Sequence, residues 1–144
     1  IEQEVVEQGH IIFNFDPARD AATTLREFGE AYIAMVCRPG GGSAIRTVMS
    51  IAERMPDVGR RYYDRVLERT INRLATYLQA RAKLGELAID DCQLAASQFP
   101  LMCQASLFLP FIFQAAPAPS PARIREVVAS AVRMFLAAYE AKGK

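Results

Sequence analysis

The chain has 144 residues, 51% of them hydrophobic and 23% charged, with 17 basic and 16 acidic side chains and a net charge of +1. That length suits one domain with a core of its own, and the composition excludes a disordered chain, a collagen-like repeat or a solvating acidic tail. The balanced charge excludes an electrostatic nucleic-acid binder, taking the chain as a whole.

Apolar residues recur at intervals of three and four, the helical period. Residues 1–14 start as uncapped helix interior, with Val5, Gly9, Ile12 and Phe13 on one side. Residues 1–15 are therefore expected to be the end of a helix arriving from a longer protein, and 16–144 a domain following it. Asp16-Pro17 is the expected cap and first turn of the next helix, whose inward stripe is Ala21, Leu25, Phe28, Tyr32 and Met35. Pro39-Gly40-Gly41-Gly42 stops it, and Ser43 is the expected cap of a short helix carrying Ile45, Val48, Met49 and Ala52 on one face. Pro56 interrupts that helix because it lacks the N–H the ladder needs. A long helix is expected from Asp57 to Leu84, with Val58, Tyr62/Tyr63, Val66/Leu67, Ile71, Leu74 and Leu78 inward and Gly85 as its left-handed terminus.

Asp90 and Gln93 have the spacing of a capping box, and Ile89 and Leu94 that of a hydrophobic staple, for a helix running to about Ala115. Ser120-Pro121 is expected to start the last helix, with Ile124, Val127, Val128, Ala131, Met134, Phe135 and Ala138 on one broad face. No strand is expected. The fold class is all-α, an antiparallel bundle of about six helices.

The penultimate helix carries no charge, since none occurs from Cys92 to Ala122, and it is apolar on every face. Such a helix is buried all round or spans a membrane. Its glutamines and serines, Pro100 and Pro110, and the lack of an aromatic belt or basic flanks argue against a membrane. The favoured expectation is burial against the subunit on one side and a partner on the other. The last two helices would then form a four-helix homodimer interface through Leu101, Ala105, Phe108, Phe111, Ile112, Val127, Val128, Ala131, Met134 and Phe135.

Signals for chemistry are weak. Glu7-Gln8-Gly9-His10 has the Glu-x-x-His spacing of di-metal bundles, but those sites need two such motifs and His10 is the only histidine. Cys37, Cys92 and Cys103 are widely spaced and form no CxxC, so neither a zinc site nor a disulfide framework is indicated and a reducing compartment fits. Gly40-Gly41-Gly42-Ser43 lacks the lysine and spacing of a phosphate loop and reads as a flexible connection. Arg61, Arg65, Arg69 and Arg73 form a row beside Asp64 and Glu68, which favours a solvated, salt-bridged face over a phosphate-tracking ridge. Nucleophile and base do not assemble, so no catalytic residue, metal or cofactor is expected. Phe28, Tyr32, Met35, Met49, Tyr62, Tyr63, Phe99 and Met102 lie on inward stripes of four helices. Each is ordinary core taken singly. As a set of adaptable methionines and polar-tipped aromatics they would suit an apolar cavity.

The run Ile51-Ala52-Glu53-Arg54-Met55-Pro56-Asp57-Val58-Gly59-Arg60-Arg61-Tyr62-Tyr63, the ending Gly85-Glu86-Leu87, the segment Asp90-Asp91 with Leu94-Ala95-Ala96-Ser97-Gln98-Phe99, and the closing helix Val127 to Tyr139 stand in an ordered series. Together they resemble TetR-family transcriptional regulators with an AefR-like C-terminal domain, over nearly the whole chain. Pro100 and Pro110 and the glycine run 40–42 depart from that pattern. The resemblance implies a cytoplasmic ligand-sensing and dimerisation domain of a bacterial repressor, preceded in the whole protein by a helix-turn-helix domain that this sequence does not match. The expected partners are a second copy, a small apolar effector bound by the eight residues above, and operator DNA only through that N-terminal domain. The rival expectations are a stand-alone helical interaction module and a small helical lipid carrier or enzyme.

Overall fold

The computed structural model describes residues 13–142, and every regular element in that span is helical. The expected first helix, with Glu7 and His10, falls outside the described residues except at its end, where Phe13, Asn14 and Phe15 are not helical.

Asp16 does not cap a helix. Asp16-Pro17-Ala18-Arg19 closes a turn, in which the Asp16 carboxylate accepts from the Ala18 N–H at 2.9 Å and its carbonyl from the Arg19 N–H at 3.0 Å. Asp first and Pro second is the preferred order of a type I turn. The cap is Asp20, which accepts from the Thr23 N–H at 3.0 Å and opens α1, Ala21–Val36. The Glu86 carboxylate also accepts from the Ala21 N–H, at 3.1 Å, while pairing with the Arg81 guanidinium at 2.8 Å. Two acidic groups thus satisfy amides that a helix start leaves orphaned.

Helix α2, Gly42–Ile51, starts one residue before the expected cap Ser43, whose hydroxyl instead donates to the Gly40 carbonyl at 3.2 Å. Pro56 opens α3, Pro56–Tyr62, which runs through a π-helical segment, Tyr63–Glu68, into α4, Arg69–Lys83. The expected single long helix is therefore continuous but widened in its middle. Gly85 is left-handed with φ +87°, as its place after the helix requires.

Helix α5, Cys92–Ile112, is capped by Asp91, which accepts from the Leu94 N–H at 3.0 Å, rather than by Asp90. The capping box is not formed, and the Gln93 amide donates to the Asn72 side chain at 2.7 Å. The staple is not formed either, since Leu94 is exposed while Ile89 packs on the core. The helix breaks at Ala105, where φ is +29° and ψ −116°. Pro110 has no N–H to offer the Ser106 carbonyl, so the ladder is weakest one residue beyond the break. The helix ends at Ile112, short of the expected Ala115. Helix α6, Pro121–Tyr139, is capped by Ser120 accepting from the Arg123 N–H at 3.1 Å, as expected.

Helix α1 packs on α5 and α6, α5 also packs on α4 and α6, and α2 rests against α5. Leu25, Ile33, Leu74, Leu78, Phe99, Val128 and Phe135 form the fully buried centre. Gly29 allows the close approach of α1: an added Cβ would lie 2.7 Å from Val128 Cγ1 and 3.0 Å from Cys103 Sγ.

Candidate effector site and outer face

Three of the eight predicted effector residues meet in the core. Phe28 stacks on Tyr32 with ring centroids 5.6 Å apart and lies 6.1 Å from Phe99. Phe13 adds an edge-on contact to Phe28 at 4.9 Å, and Phe135 another to Phe99 at 5.5 Å. These separations suit favourable aromatic pairs, so the rings fill the space between α1 and α5 against one another.

The Tyr32 hydroxyl accepts a hydrogen bond from the Gln104 amide at 3.1 Å. No described residue accepts the hydroxyl proton in return. Burial pushes the Tyr32 phenol up to about 12, opposed in part by the Gln104 bond. Burial also raises the half-buried Tyr62, which is near enough to act electrostatically on Tyr32. Cys37 and Cys103 are buried thiols, raised by desolvation to about 11 and about 12. They are inert at neutral pH.

The remaining predicted residues are scattered. Met35 and Met102 are half-buried at the margin of the cluster. Met49 is 64% exposed and Tyr63 51% exposed, so both stand outside it. Val48 takes the buried place on α2, and at the head of the π-helical segment Tyr62 turns inward and Tyr63 outward. Sequence reasoning missed Gln104 and the Phe13–Phe15 pair. Gln104 carried a usable signal, being an amide in an apolar helix that wants a partner. Phe13 and Phe15 lie in the stretch expected to end a helix, whereas both pack on Phe28 from an irregular segment.

The predicted interface residues also divide. Leu101 at 64% and Met134 at 58% are exposed, Ala105 is exposed, and Val127 is half-buried. With Met102 and Ala131 they line a groove of about 420 Å³ between α5 and α6. Leu109 and Phe113, not predicted, are exposed on the same helix or just beyond it. Ile112, Val128, Ala131 and Phe135 are instead buried within the subunit, and Phe108 and Phe111 pack partly against its core. Those six serve the subunit's own packing first: Gly29 lets α1 close over Val128 on α6, and Phe111 comes close to Gly42 of α2. By length and hydropathy α5 could cross a membrane, but its inner face is part of this core.

A sequence profile described as AefR-like transcriptional repressor, C-terminal domain, matches residues 23–141. No curated protein matches the chain. Among solved structures, a TetR-family transcriptional regulator from Mesorhizobium loti MAFF303099 superposes with a TM-score of 0.79 at 22% identity, over 96% of this chain and 67% of that one. The Flavonoid-responsive Regulator FrrA superposes at 0.84 with 20% identity, over 99% and 74%. A TetR-family regulator from Pseudomonas syringae pv. tomato str. DC3000 superposes at 0.72 with 24% identity, again over 99% and 74%. At these identities the three share the fold.

Proposed function

Because the chain belongs to the AefR-like C-terminal domain family of TetR-type transcriptional repressors, we propose that it is the regulatory half of a cytoplasmic bacterial repressor. In this reading it is a homodimer that senses a small, mostly apolar effector. Operator DNA is read by a helix-turn-helix in a part of the whole protein outside this sequence.

The observation that carries the effector site is Tyr32. A buried hydroxyl whose proton has no acceptor among the described residues is a donor held ready in an apolar surrounding, and leaving such a group unpaired is costly. An aromatic or acyl compound with one carbonyl or hydroxyl oxygen would take that proton and displace ring contacts at Phe28 and Phe99. The flavonoid-responsive regulator that shares this fold makes aromatic compounds the first to screen. The Gln104 partner of Tyr32 directly precedes the Ala105 break. An effector that accepts the Tyr32 proton while Gln104 donates to the same oxygen is linked through that bond to the break in α5, and moving the ring moves that point. In the dimer that movement would alter the spacing of two recognition helices, whose half-sites must lie about one DNA turn, roughly 34–36 Å, apart. The coupling is reciprocal, so operator DNA weakens the effector.

The exposed Leu101, Ala105 and Met134 support pairing: they line a groove rimmed by Ser106, Arg123, Glu126 and Ser130, and exposed apolar surface with a polar rim marks an interaction surface. Light scattering should give twice 16.0 kDa, and Leu101→Glu or Met134→Glu should return the mass to one subunit without lowering helicity. In a thermal-shift screen of aromatic and acyl compounds, a ligand at a hundred times its Kd should stabilise the fold by about 2.7 kcal/mol. Tyr32→Phe and Met102→Ala should weaken the hit. A stable monomer refutes the dimer, and a screen in which no compound moves the melting point refutes the effector site.

A further inference from the structure

The connector that follows α5 runs back beside the start of α2, and a cleft of about 480 Å³ lies between them. Its walls include Gly42, Arg46, Phe111, Gln114 and Pro117, and none of the residues around Tyr32. The size is in the range of small-molecule sites. Arg46 is half-buried there, and its Nη1 donates to the Ile112 carbonyl at 3.1 Å. That bond anchors the guanidinium while Nε and Nη2 have no partner among the described residues. No carboxylate lines the cleft, and no described acidic side chain pairs with Arg46.

A fixed guanidinium with one free edge is the geometry that takes a carboxylate by two parallel hydrogen bonds. The wall beside it is apolar, made by the Phe111 ring, Ala115, Ala116 and Pro117. Gly42 holds the two parts together. A Cβ there would lie 2.7 Å from Arg46 Nη1 and 3.0 Å from Phe111 Cε2, so an alanine would push the tip of the guanidinium away from the ring. We infer that the cleft between α2 and the α5–α6 connector is a binding site for a small aromatic carboxylate, separate from the Tyr32 site. The carboxylate pairs with Arg46 and the ring lies on Phe111, with the Gln114 amide as a second polar contact. An occupant joins α2 to the part of α5 beyond the Ala105 break. This site stands whether or not the Tyr32 site binds an effector.

Sodium benzoate is the probe and benzamide its uncharged counterpart, titrated into the 144-residue chain by calorimetry and followed by NMR. Benzoate should bind saturably, at least about tenfold more tightly than benzamide. The shifted resonances should be those of Phe111, Ala115 and Ala116, with Tyr32 and Phe99 unmoved. Arg46→Met should abolish binding. Because Arg46 also holds the end of α5, Gly42→Ala is the second variant: it keeps the charge, crowds the corner and should weaken benzoate by about tenfold or more. Equal binding of benzoate and benzamide, full binding by Gly42→Ala, shifts at Tyr32 instead of Phe111, or no saturation by about 10 mM would each overturn the site.

Discussion

Phe99 and Leu101 stand two residues apart on α5. Phe99 is fully buried, in ring contact with Phe28 and Phe135, whereas Leu101 is 64% exposed on the groove beside α6. Hydropathy does not distinguish them. The difference comes from what approaches each face. Gly29 brings α1 against the inner side of α5 and α6, whereas no described residue covers the outer side at Leu101. An apolar helix without a polar face thus has one side spent on folding and another left for association, and only three-dimensional packing says which is which.

Truncation gives the largest separation of the two faces. Phe99→Ala removes a ring from a closed cluster and should cost about 3–5 kcal/mol of stability. Leu101→Ala, measured in the same denaturant titration below the concentration at which subunits pair, should stay within about 0.5 kcal/mol of the parent. Similar losses at both positions would mean that the outer face is already covered within one subunit, and the contrast would collapse.

Most of the fold was legible because helix period and punctuation are local. Pro56, Gly85 and Ser120-Pro121 end or start elements where the sequence placed them, since each acts through its own backbone. The caps missed at Asp16 and Asp90 each had a second aspartate nearby, and the choice fell to the tertiary position of the chain. Glu86 reaching the Ala21 N–H across 65 residues shows how far such decisions lie from any local window. The candidate site was half legible. Phe28, Tyr32 and Phe99 came together because their stripes are regular. Met49 and Tyr63 did not, since a short helix and a π-helical segment rotate away from the ideal period. The interface residues were the least legible: with apolar residues on every side, periodicity carries no information about direction.

Alkaline pH sharpens the comparison from the inner side alone. Burial raises the folded-state values of Tyr32 to about 12 from an ordinary 10, and of Cys103 to about 12 from 9. Both groups prefer their neutral form in the fold. Their contribution is fully present below the unfolded values and is lost as pH rises through the folded ones, because only the unfolded chain gives up its protons first. Stability should be flat to about pH 9 and fall steadily toward pH 12. Tyr32 alone accounts for roughly 2–3 kcal/mol, at about 1.4 kcal/mol per decade of proton affinity. Melting curves between pH 8 and 12 check this, and Cys103→Ala should make the loss shallower, with the buried Cys37 thiol still opening it. A melting temperature that holds level to pH 12 would show that water reaches the inner face after all.

Ala105 lies on the outer face at the break in α5, and there the expected effect is smallest. Its φ of +29° with ψ of −116° lies where a Cβ is strained, and the residue is exposed, so burial of its methyl offers little compensation. Such a conformation costs about 1–3 kcal/mol in a non-glycine residue. Glycine relieves the strain but gives back about 0.5–1 kcal/mol through the freedom of the unfolded chain. Ala105→Gly should therefore raise stability by about 1 kcal/mol while leaving the break in place, with amide exchange beyond Ser106 unchanged or slower. The opposite result has a distinct meaning. If glycine lowers stability and speeds exchange through residues 106–112, the alanine is holding the bend by its side chain. The part of α5 beyond the break would then be tied to the part before it through that methyl as well as through the backbone.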